Sequence, residues 1–215
     1  MDKKIQVAAI VVAIVFSVLV LTSPTDPIPL PIPNSNSESD FVTILAENLD
    51  KPRAIAVSND RIFVTEKDGI IKVIQNNTLL ESPLATLRGA DVFDGGLLGI
   101  ALHPNFSTNH YMYVFLTYEE DDNLWNKILK ITESENKLQN AETILDKIPG
   151  SSFTNGGFMK FGPDEKLYVG TGTVSDASHL PQDLDSLSGK ILRLNDDGTI
   201  PIDNPFSNSP VYSLG

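Results

Sequence analysis

One phrase occurs three times along this chain, always in the same internal order. An apolar run opens it: Ala54-Ile55-Ala56-Val57, Ile100-Ala101-Leu102 and Phe158-Met159-Lys160-Phe161. A polar turn follows: Ser58-Asn59-Asp60, His103-Pro104-Asn105 and Gly162-Pro163-Asp164. Pro presets the backbone of such turns, and Asn or Asp hydrogen-bonds its own main chain. A strand-like stretch with an aromatic-Val pair comes next: Arg61-Ile62-Phe63-Val64, Tyr111-Met112-Tyr113-Val114 and Lys166-Leu167-Tyr168-Val169. A third stretch closes the unit, at 70–74, 127–131 and 190–194. Lys67-Asp68-Gly69, Glu119 to Asn123 and Asp196-Asp197-Gly198 supply turns around these strands. Short strands repeating at roughly 50 residues, without long amphipathic helices, are the pattern of β-propeller blades. A β-sandwich also uses short strands, but it does not need one phrase repeated in one order. The expected fold class is all-β.

After the third unit, Pro210-Val211-Tyr212-Ser213-Leu214 reads as the start of a fourth blade, giving about three and a half. Closed propellers carry roughly four to eight blades. An open set leaves apolar faces and strand edges in water, and both invite pairing. The sequence therefore predicts either part of a longer ring or a dimer whose two copies cover each other's faces.

The beginning of the chain is built differently. Asp2-Lys3-Lys4 leads into an apolar run over residues 5–21. That run is near the shortest that spans a bilayer as a helix. Residues 1–22 are expected to form a hydrophobic helix, either a membrane anchor or a secretory signal. An anchor would keep Lys3 and Lys4 inside and send the rest of the chain out of the cytoplasm. Residues 23–40, rich in Pro, Ser and Asn, read as an extended spacer, and 41–215 as the partial propeller. The 16 basic residues face 28 acidic ones, a net charge of −12, which argues against a nucleic-acid partner. Without cysteine there can be no disulfide, thiolate nucleophile or thiolate-bound zinc. With three histidines, no metal site is assigned from the residues alone.

The segments GGLLGIALHPNF (95–106), GGFMKFGPDEKLYVGTG (156–172) and QDLDSLSGKILRLNDDGTIPIDNPF (182–206) resemble the glucose/sorbosone dehydrogenase family. The likeness runs from about Phe41 to Gly215. These are soluble quinoprotein sugar dehydrogenases and aldose sugar dehydrogenases. The resemblance implies a six-bladed propeller, longer than this chain, with pyrroloquinoline quinone (PQQ) in a cleft at its top and calcium nearby. It implies a sugar substrate: a base takes the proton of the anomeric hydroxyl while hydride passes to the quinone. It also places most of the basic residues that grip PQQ in later blades.

The same resemblance assigns positions. The family's histidine base precedes a Gly-Gly pair, and here that place holds Thr154, ahead of Asn155-Gly156-Gly157. The family's orienting aspartate ends a Gly-Thr-Gly phrase, and here Thr173 stands there. A threonine hydroxyl holds its proton far too tightly to serve as a base at neutral pH. Catalysis is therefore expected to be lost at Thr154 and Thr173, unless a loop shift brings Asp176 or His179 into the gap. Gly156 and Gly157 are expected to let the backbone approach the cofactor, with Asp183 beside the cofactor cleft. Asp94 and Gln182 are expected to meet substrate hydroxyls. Asp94 and Asp183 can equally be turn residues. Asp183, Asp185, Asp196 and Asp197 suggest calcium by composition, but their spacing lacks an EF-hand's alternation, and Asp196-Asp197-Gly198 suits a hairpin. His103 reads as structural. Two functions follow: a PQQ-dependent sugar dehydrogenase, or a non-catalytic propeller that binds a glycan or an envelope protein.

Overall fold

A computed structural model describes residues 42–59, 61–174 and 178–215. The expected N-terminal helix, the spacer at 23–40 and Asp176 lie outside the described residues. Among the described residues, no helix is long and apolar enough to cross a membrane. Ile44–Gly215 forms one compact unit.

That unit consists of three antiparallel sheets, each a meander in sequence order. The first contains β1 (Pro52–Ser58), β2 (Arg61–Glu66), β3 (Ile70–Gln75) and two short strands, β4 (Thr78–Leu79) and β5 (Ala85–Thr86), both paired with β3. The second contains β6 (Leu97–Leu102), β7 (Tyr111–Glu120), β8 (Asn123–Ser134) and β9 (Lys137–Pro149). The third contains β10 (Gly156–Phe161), β11 (Leu167–Thr171), β12 (Lys190–Leu194) and β13 (Val211–Leu214). A single helical turn, α1 (Phe106–Asn109), separates β6 from β7. The three repeated phrases correspond to the first three strands of each sheet.

Two expectations need correction. Val211–Leu214 does not open a fourth blade. It pairs with β12, setting Ile191 opposite Ser213 and Leu192 opposite Val211, and so completes the third. A bare β12 edge would leave its main-chain donors and acceptors unpaired, and β13 fills that edge. The described strands thus form three sheets, with β13 as the fourth strand of the third. Nor does the third stretch close a blade, because an outer strand follows in every case. β4 and β9 escaped notice: β4 has only two residues, and β9 is largely exposed and carries no apolar alternation.

Packing explains the phrase. Phe63, Ile71 and Val73 of the first sheet bury against Leu97, Ile100, Met112, Val114 and Leu116 of the second. The second sheet's opposite face, with Tyr113, Phe115 and Ile128, buries against Met159, Leu167, Val169 and Leu192 of the third. Neighbouring residues of β7 therefore serve different cores, which is why its middle is an unbroken apolar run. Each such side chain removed from water contributes about 1.5–3 kcal/mol. Two-residue turns at Asn76-Asn77, Asp121-Asp122 and Glu135-Asn136 have positive φ at both positions, between 51° and 60°. Their twist matches that of the strands they join.

The inner strands β1, β6 and β10 stand side by side. A Cβ on Gly99 would collide with the Gly157 carbonyl oxygen, so β6 and β10 meet main chain to main chain. The N-terminal ends of all three inner strands gather at one mouth, where the Leu97 N–H donates to the Lys67 carbonyl and the Asp94 N–H to the Ser152 carbonyl.

Candidate functional site

Asn155 organises this mouth. It is buried just before β10, and its carboxamide is fully used. Nδ2 donates to the carbonyls of Asp94 (2.8 Å) and Ser151 (2.7 Å). Oδ1 accepts from the Ser151 N–H (3.0 Å) and from Nδ2 of Asn126 (3.2 Å). Asn126 in turn accepts the Thr117 hydroxyl at 2.7 Å and donates to the Pro149 carbonyl at 3.0 Å. This buried ladder ties the second blade to the loop that enters the third. Buried amides need every partner, and here they have them.

The ladder fixes the neighbour, Thr154, in a left-handed conformation with φ of 59°. Its N–H donates to Asp94 Oδ2 at 3.1 Å. Its hydroxyl reaches the Thr173 carbonyl at 2.5 Å and the Phe153 carbonyl at 2.7 Å. Arg53 Nη2 stands 3.4 Å from Asp94 Oδ1. Both Asp94 oxygens are thus engaged, one by the third blade and one by the first. Thr154, Thr173 and Asp94, expected near one another, do meet. Arg53, Asn126 and Asn155 escaped sequence reasoning. Asn155 offered one signal, an Asn directly before a Gly-Gly pair.

The two glycines are occupied by packing. Gly156 and Gly157 have positive φ (75° and 97°). A Cβ on Gly157 would press on the Phe115 ring and Leu98, and one on Gly156 on the main chain of Gly170–Gly172. Protein fills the space that their missing side chains leave.

Gln182 and Asp183 sit farther out on the third blade, at the turn Leu180–Gln182, and do not line the channel. The Gln182 amide donates to the Gly215 carbonyl. Asp183 Oδ1 accepts the Asp185 N–H at 3.0 Å, a turn-capping contact. Beneath that turn lies buried Lys190, whose ammonium donates to the carbonyls of Leu180, Pro181 (2.8 Å) and Ser188 (3.0 Å). Burial pulls its pKa down, and the charge of Asp183 opposes that shift. His103 packs away from the mouth, with Nδ1 accepting from the Asn105 N–H (3.0 Å) and Asn109 Nδ2 (2.8 Å).

Among the described residues, no three His, Asp or Glu side chains converge as a metal site would require. Asp197 Oδ1 accepts the N–H (2.9 Å) and hydroxyl (2.6 Å) of Thr199, which hold its pKa below the usual range. Asp196 faces Lys130 at 3.5 Å. These carboxylates stabilise a turn and do not make a calcium cage. PQQ carries several carboxylates and needs a bed of cations. At this mouth the chain offers Lys51, Arg53 and Lys67, each facing an aspartate, and glycines already packed against protein. One small cleft of cations can meet one carboxylate, and the residues of this stretch do not supply partners for the several that PQQ carries.

The mouth opens into a cavity of about 900 Å³, lined by Arg53, Ile55, Val57, Gly99, Phe158 and Lys160 among others. Such a wall has apolar area and a few placed polar groups, as small-molecule sites do.

The glucose/sorbosone dehydrogenase family profile matches residues 49–215. Quinoprotein glucose dehydrogenase B of Acinetobacter calcoaceticus is 30% identical over 206 residues, covering 80% of this chain and 43% of that protein. The PQQ-bound aldose sugar dehydrogenase of Streptomyces coelicolor superposes with a TM-score of 0.74 at 35% identity, covering 81% of this chain and 53% of that one. The Hedgehog-interacting protein of Homo sapiens is 27% identical over 184 residues, 70% of this chain and 26% of its own. The chain spans about half the length, or less, of these relatives. Repeated blades, converging inner-strand ends and the profile match agree: the chain belongs to the glucose/sorbosone dehydrogenase family.

Proposed function

We propose that this chain binds a sugar-like polyol at the mouth of its propeller channel and lacks the base that sugar oxidation requires. One observation carries the reading. Thr154 occupies the position where the resemblance expects the base, and its hydroxyl is directed at main-chain carbonyls. A positioned base contributes roughly 100- to 10,000-fold to such a reaction, and no threonine supplies that. Asp94, the carboxylate beside it, already accepts from Thr154 and faces Arg53. This arrangement suits the recognition of hydroxyl groups. We place the propeller outside the cytoplasm, on the strength of the charged-then-apolar start of the chain.

The test supplies full-length protein with PQQ, calcium, a panel of aldoses and a dye that accepts electrons. The expected result is sugar binding by calorimetry with no dye reduction above that of Thr154→Ala. The double variant Thr154→His with Thr173→Asp is expected to gain turnover. Wild-type turnover that Thr154→Ala abolishes would overturn the reading and restore the dehydrogenase. A second reading has one observation in its favour, namely that Hedgehog-interacting protein shares this part of the family. In it, the same face would bind a protein, and sugars would leave the protein's melting temperature unchanged.

A further inference from the structure

Two aromatic rings at the mouth are left in water. Phe93 is 75% exposed and Phe153 50% exposed. Their centroids lie 4.9 Å apart with planes tilted by 43°, so the pair bridges the loops entering the second and third blades. Each directly precedes a polar site residue, Asp94 and Thr154 respectively.

Beside Phe93 lies a cleft of about 380 Å³, lined by Lys51, Pro52, Arg53, Lys67 and Phe93. Three cations in one small cleft run against the composition of a chain with a net charge of −12. Their partners are held loosely: Lys51–Asp68 at 3.4 Å, Arg53–Asp94 at 3.4 Å and Lys67–Asp91 at 3.3 Å. The Arg193–Asp164 and Arg193–Asp203 pairs of the third blade, by contrast, close to 2.8 Å. The Lys67 side chain is 14% exposed and its partner Asp91 93%, so the cation is housed in the cleft while the anion trails in solvent. Exposed pairs of this kind contribute little and yield readily to a competing anion.

We propose that the ligand of this mouth is an acidic sugar, with its pyranose ring against Phe93 and Phe153 and its carboxylate toward Lys51, Arg53 and Lys67. The inference deepens the sugar-binding reading and rests on it. A pyranose has an apolar C–H face that suits an aromatic ring, and its hydroxyl edge would meet Asp94. A carboxylate on that edge forms charge-assisted hydrogen bonds to lysine and arginine, the stronger kind.

The test titrates the full-length protein with glucuronate, glucose and acetate, by calorimetry at low and at physiological salt. Glucuronate is expected to bind about tenfold or more tightly than glucose, with the margin shrinking as salt screens the charges. Acetate is expected to bind far more weakly than either sugar. Lys67→Gln is expected to lower glucuronate affinity about tenfold, toward that of glucose. Phe93→Ala is expected to weaken both sugars alike. Thermal melts matching wild type show that the variants fold, and Phe153→Leu replaces Phe93→Ala if that variant does not. Equal binding of glucose and glucuronate overturns the acidic-sugar inference and leaves the sugar-binding reading standing. Acetate matching glucuronate also overturns it, because the cleft is then an anion site without a ring platform. Binding of none of them overturns both.

Discussion

At the scale of single residues, the mouth depends on Asn155. Its amide donates twice through Nδ2 and accepts twice at Oδ1, across two blades. Asn155→Asp would set an anion against the carbonyls of Asp94 and Ser151 and remove both donors. The expected loss is about 3 kcal/mol or more, read from denaturant unfolding. His103 gives a pH signature. Burial lowers its pKa from 6.5, against an opposing pull from Asp196. Two donors converge on Nδ1, so the folded protein holds the ring neutral. The unfolded chain takes up its proton first as pH falls. Stability is therefore full above about 6.5 and declines from there down to the lower folded value. His103→Gln is expected to flatten that decline in melts taken across this window. The pairing of Thr154 with Thr173 was legible because a motif marks both places. Arg53 was not, because a lone arginine opening a strand looks like any surface cation until the fold sets it beside Asp94.

At the scale of elements, strands were legible where both faces are buried. In β7, Tyr113 and Phe115 serve one core while Met112 and Val114 serve the other, so burial is written into every position. β9 was hidden, while β13 was read as a strand but given to the wrong sheet. β9 buries little and shows no pattern. β13 lies beyond a long connection whose Asn195–Thr199 turn, with Gly198 N–H donating to Asn195, resembles a passage between blades. The contact between inner strands is a more exacting feature. Gly157→Ala would carry a methyl into Phe115 and Leu98 from a left-handed backbone. Left-handed strain of about 1–2 kcal/mol and overpacking of about 1–3 kcal/mol predict a combined cost of about 2–5 kcal/mol. Urea titration of the variant checks it, and a cost under about 1 kcal/mol would mean that the strands can part.

At the scale of the molecule, large apolar side chains of the first and third sheets stand exposed, some of them in the channel wall. Ile55 and Val57 do so on the first blade, and Phe158, Ile191 and Tyr212 on the third. Faces of this sort are normally covered by further sheets or by a second copy. Residues 1–215 are therefore expected to associate, with a light-scattering mass well above 23.4 kDa that falls when Ile55 and Phe158 are both replaced by Thr. A lone monomer that does not bind a hydrophobic dye would contradict this. The mouth also determines how the molecule ages. Asn155-Gly156 is a dipeptide prone to deamidation, in which the glycine nitrogen attacks the side-chain carbonyl carbon, ammonia leaves, and water then opens the cyclic imide to aspartate or isoaspartate. Folded, that side chain is clamped by its hydrogen bonds, and the reaction cannot reach its geometry. Once the protein opens, the clock starts. The product carries an anion where the amide had joined two blades, so one chemical event in the unfolded state prevents the mouth from re-forming.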